Sequence, residues 1–83
     1  MSEKSENERN AKINWVENYL LQQLQGEKKN GITTDDAVRV IIGKYRCTRI
    51  TARSYLMSVL YDPNPKIVQS ADYSGLLILA QKN

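Results

Sequence analysis

The chain of 83 residues contains no histidine. That absence removes the commonest general base and the commonest metal ligand together. The single cysteine, Cys47, cannot close an internal disulfide, and without histidine it cannot build a zinc site of the usual kind. A lone thiol fits a reducing compartment. There is no glycine-rich phosphate loop and no nucleophile elbow. The one pair of adjacent carboxylates, Asp35 and Asp36, stands where a helix start would use it. Catalysis is therefore not expected, and no cofactor, metal or small-molecule ligand is implied. No apolar run is long enough to cross a bilayer and the polar N-terminus shows no signal-peptide pattern, so an intracellular protein, cytoplasmic or nucleoid-associated, is expected.

What is present fits one small domain, residues 8–83, behind a polar segment 1–7 that has nothing to bury and is expected to be mobile. Residues 8–25 place Ile13, Val16, Leu20 and Leu24 at helical spacing, with Trp15, Tyr19 and Leu21 widening the stripe. A polar turn, Gly26 to Gly31, follows. Ile32 could form a very short strand. A threonine cap with Asp35 and Asp36 behind it then starts a second helix over 34–46, with Ala37, Val38, Ile41, Ile42 and Tyr45 on its buried side. Thr48 caps a third helix, 48–61, which Pro63 and Pro65 end. Beyond Pro65 the pattern becomes extended. Two short runs within 66–80 flank Ser-Ala-Asp-Tyr-Ser-Gly, the composition of a hairpin loop.

The third helix carries the functional signal. Ala52, Tyr55, Leu56, Val59 and Leu60 define one apolar face, and Arg49, Arg53 and Ser54 lie on another. The net charge is only +3, but its distribution is uneven. Residues 1–30 carry five acids and five bases, whereas Arg39 to Arg53 holds five bases (Arg39, Lys44, Arg46, Arg49, Arg53) and no acid. A basic two-helix unit with arginines at the front of its second helix is suited to double-stranded DNA, the helix end entering the major groove. In that reading Arg49, Arg53 and Ser54 reach base edges, and Thr48 and Thr51 reach phosphates or bases. Arg39, Lys44 and Arg46 contact phosphates. Cys47 is expected as a small apolar residue in the turn.

The run Tyr45-Arg46-Cys47-Thr48-Arg49-Ile50-Thr51-Ala52-Arg53-Ser54-Tyr55-Leu56 resembles the winged helix-turn-helix family of DNA-binding proteins, and the resemblance extends over about residues 31–80. Family members often show a turn glycine, a small apolar residue, Ser or Thr, Arg, an aliphatic residue, Thr, Ala, Arg and a Tyr-Leu pair. The resemblance implies a mainly helical fold with a small β-hairpin, in the order α1-(β1)-α2-α3-β2-β3. It departs at Arg46, which occupies the glycine position and must either adopt a left-handed backbone or make a different turn. The hairpin becomes the wing, where Lys66, Tyr73 and Ser74 are the candidate contacts. The first helix has more apolar residues than a core this small requires, so Trp15 and Tyr19 are read as a dimer contact. The expected function is a homodimeric transcriptional regulator. A chromatin or partition protein of low sequence preference, or a protein–protein adaptor without DNA binding, are the alternatives.

Overall fold

The computed structural model describes residues 2–73 and 75–80, with side chains from Asn7 onward. Three helices and three short strands follow in the expected order: α1 Ser2–Gln25, β1 Ile32–Thr33, α2 Thr34–Tyr45, α3 Arg49–Leu60, β2 Ile67–Gln69 and β3 Leu76–Leu79. The first helix starts at Ser2, six residues before the expected Glu8, so the segment anticipated as a tail is helical from Ser2. The apolar stripe marks only where a helix is buried. A helix runs on past such a stripe where the sequence supplies good helix formers, and acidic residues suit its positive end.

On α1, Val16, Leu20 and Leu24 recur every fourth residue and are buried, while Ile13, Trp15, Tyr19 and Leu21 are partly covered. The chain then turns through Gly26–Asn30. Gly31 has φ 121°, and a Cβ there would lie 2.7 Å from Leu76 Cγ. Its lack of a side chain meets both a backbone and a packing demand.

Each later helix opens on a threonine. Thr33 Oγ1 accepts from Asp36 N at 3.2 Å, and Thr48 Oγ1 accepts from Thr51 N at 3.2 Å. Each such cap satisfies an otherwise unpaired amide and is worth about 1 kcal/mol. Arg46 closes α2 in the left-handed conformation (φ 50°, ψ 44°), its N–H donating to Ile42 O at 2.7 Å. Of the two expected outcomes Arg46 takes the left-handed backbone, at a cost of about 1 kcal/mol.

Antiparallel pairing gives the sheet order β1-β3-β2, with Ile32 opposite Leu77 and Val68 opposite Ile78. Thr34 N donates to Gly75 O at 2.8 Å, joining the hairpin to the start of α2. Ile67 and Leu77 seal the core, which is formed with Val16, Leu20, Ile41, Leu56 and Val59. Three helices, a tight turn before the third and a β2–β3 hairpin make a winged-helix-like arrangement.

Candidate nucleic-acid interface

The phase of α3 decides what it can offer. Ala52, Tyr55, Leu56 and Val59 are buried. Ile50, Arg53 and Met57 follow the i, i+3, i+7 spacing of a single face, and Tyr61 continues it just past the helix end. That face points outward: Ile50 is 82% exposed and Tyr61 78% exposed, and Arg53 is also exposed. Arg53 borders a groove of about 210 Å³ between α3 and the hairpin, together with Met57, Gln69 and Gly75.

Arg49, at the first turn of α3, is exposed and lies 3.6 Å from Asp35 Oδ1 in the first turn of α2. An exposed ion pair of this kind is worth about 0–1 kcal/mol, so it orients Arg49 without locking it. Thr48 Oγ1 donates to Thr51 Oγ1 at 3.0 Å in addition to capping the helix. These two hydroxyls are already engaged with each other; Thr48 is exposed and Thr51 half-buried.

Ser54 sits differently from its sequence reading. Its Oγ accepts from Arg9 Nη2 at 2.8 Å, and the same nitrogen lies 3.3 Å from Ser58 Oγ. The Arg9 guanidinium also covers the Tyr55 ring at 5.2 Å. Ser54 therefore binds α1 to α3 and is half-buried. Arg39 is also separate from the α3 face. It is exposed along a groove of about 250 Å³ with Tyr19, Gln23, Lys28 and Asp36, between α1 and α2. Arg46 is exposed in the turn before α3. Cys47 beside it is half-buried against the core.

Beside α3 on the α1 side lies an aromatic cluster. Trp15 stacks on Tyr19 (5.3 Å between centroids) and meets Tyr45 edge-on (5.7 Å), and Tyr45 meets Tyr55 edge-on (6.4 Å). Lys44 stands 5.1 Å from the Trp15 ring, and Lys12 stands 5.3 Å from that of Tyr45. Burial raises the Tyr45 pKa above the ordinary tyrosine value; Lys12 pulls it down and Tyr55 pushes it up, both more weakly. Trp15 and Tyr19 are thus half-buried within one chain, with their rings partly used by intramolecular packing.

The hairpin is poorly equipped for anions. Lys66 lies 3.8 Å from Glu17 of α1. Tyr73 is 61% exposed, with its ring over Gly75, where a Cβ would approach it to 3.0 Å. Asp72 is exposed in the same loop. Ser74 lies outside the described residues.

Three residues of this surface escaped the sequence reading. Arg9 meets Ser54 across 45 positions of sequence, a pairing without a local signal, and Lys12 stands over Tyr45 for the same reason. Ile50 did carry a signal, since helical phase places it with Arg53 rather than with Leu56.

Among the described residues no group of acids and cysteine is placed to hold a metal ion, and no helix is long and apolar enough to cross a membrane. No protein-family model, curated protein or solved structure matches the chain.

Proposed function

We propose that the protein binds double-stranded DNA as a homodimeric transcriptional regulator, presenting the outward face of α3 to the major groove. The observation that carries this reading is the exposed front of α3. A tight turn bearing Arg46 leads directly into a helix whose Arg49, Ile50 and Arg53 all face solvent. Arg49 and Arg53 are suited to base edges or phosphates, and Arg46 and Lys44 to phosphates. Arg39, on the α1–α2 groove, is assigned no contact. The dimer uses the exposed portions of Trp15 and Tyr19 on α1; light scattering at tens of micromolar tests it, a monomer refuting that part of the proposal.

An adaptor reading draws on a different observation. Among the described residues the hairpin has no basic side chain that is free of an acidic neighbour, and the three large apolar side chains most open to solvent, Ile50, Tyr61 and Tyr73, belong to α3, its end and the hairpin. One measurement separates the readings: affinity for random-sequence duplex DNA as a function of salt. The DNA reading expects measurable binding at low salt that weakens steeply as salt rises. Absence of binding at any salt favours the adaptor. A regulator binds its own upstream DNA at least about a thousandfold more tightly than random duplex, whereas a chromatin or partition protein shows little difference.

A further inference from the structure

We infer that Ile50 is a sequence-reading residue that packs its side chain on the 5-methyl group of thymine in the major groove; the inference rests on the DNA reading above. Single exposed apolar residues are ordinary on protein surfaces. Ile50 stands out by its position and its neighbours. At 82% it is the most exposed large apolar side chain among the described residues, and it occupies the second position of α3. It gives the domain little in return: it belongs to no core cluster, and its β-branch is disfavoured in a helix. Arg49 precedes it, and Arg53 lies one turn behind on the same face.

An aliphatic side chain has no donor or acceptor, so it cannot read a hydrogen-bonding base edge. The one apolar group that a base displays in the major groove is the thymine methyl. The first turn of the recognition helix is the part that reaches base edges. Met57, two turns further along the same face, lies roughly 10 Å behind it, too far back to share the contact. A protein pocket receiving Ile50 would have to desolvate the flanking arginines, which is costly without partners. A groove walled by phosphates supplies those partners while leaving the methyl at its floor.

Duplexes selected from a random pool by the full-length protein at low salt supply the probes. Each thymine of the preferred site is replaced in turn by deoxyuridine, which removes only the methyl. The expected result is one position, or its symmetric pair, where wild-type affinity falls about fourfold per methyl, the worth of one buried methyl-sized group. Ile50→Ala should melt at or slightly above the wild-type temperature and bind thymine and deoxyuridine equally well at that position. The inference is overturned if no thymine is sensitive to the replacement, or if Ile50→Ala keeps the full discrimination, which would assign the methyl to another residue. Failure of the wild type to bind any duplex at low salt overturns the DNA reading itself, and the assignment of Ile50 with it.

Discussion

The two flanks of α3 are built by different means. On the α1 side, Arg9 bridges to Ser54 and Ser58 and covers Tyr55, and a line of rings runs from Tyr55 through Tyr45 to Trp15 with Lys12 and Lys44 against it. On the hairpin side, Ile67 and Leu77 plug the core, a shallow groove runs beside Arg53, and Lys66 is turned toward Glu17. The hairpin flank serves closure. The α1 flank holds its cations in place on aromatic faces and next to the proposed DNA-reading surface. The described cations thus gather on the α1 flank rather than at the hairpin, while both flanks hold α3 in position.

The largest expected effect breaks both flanks at once. Leu56 is fully buried at the junction of α3 with the rest of the core. Leu56→Ala should cost about 2–5 kcal/mol, read by chemical denaturation, because the cavity cannot readily collapse between helix and sheet. A change below 1 kcal/mol would mean that the helical phase described for α3 is wrong.

Next in size is the outward face. Arg49→Ala and Arg53→Ala should each weaken DNA binding by about 1–3 kcal/mol if the residue reads a base, with melting temperatures near wild type since both side chains are exposed. Near-wild-type affinity in the double variant would remove α3 as the reading element.

Smaller still is the direct contrast between flanks. Arg9→Ala removes hydrogen bonds and a cation–π contact and should lose about 0.5–1.5 kcal/mol of stability. Lys66→Ala removes one exposed ion pair and should lose about 0–1 kcal/mol. Equal losses in paired melts would show that the two flanks are held with the same strength.

The smallest effect is a pH dependence. Burial raises the Tyr45 pKa, so the folded state holds that proton more tightly than the unfolded chain. Its contribution is fully present below the ordinary tyrosine value near 10 and is lost as pH rises through the elevated folded value. Stability should therefore decline above about pH 10, and Tyr45→Phe should make that decline shallower. Identical alkaline slopes for the two proteins would show that the tyrosine hydroxyl is not in a dry setting.

The elements were legible because their signals are local. Thr33 and Thr48 mark helix starts by hydroxyl chemistry, the spacing of Val16, Leu20 and Leu24 marks a face, and Pro63 and Pro65 mark an end. The start of α1 was not legible from its apolar pattern, since residues 2–12 contain no large apolar residue. The site was legible in part. Arg49, Arg53 and Arg46 are exposed around the front of α3, whereas Ser54 is half-buried under Arg9, and helical phase alone does not reveal that Arg9 arrives from another helix. Arg39 lies apart from Arg49 and Arg53 for a related reason: a charge run in sequence wraps around a helix and distributes its members over different faces.

The hydrogen bond from Thr34 N to Gly75 O has a mechanical consequence. The bond welds the bend at Gly75 to the opening turn of α2, and the next residue along that turn, Asp35, reaches Arg49. A displacement of the hairpin therefore need not be absorbed by the hairpin alone. It reaches the α2 terminus, where Asp35 faces Arg49 at the head of α3 across an exposed ion pair. Hydrogen exchange would register this linkage as a Thr34 amide that opens together with the β2–β3 ladder rather than with the body of α2.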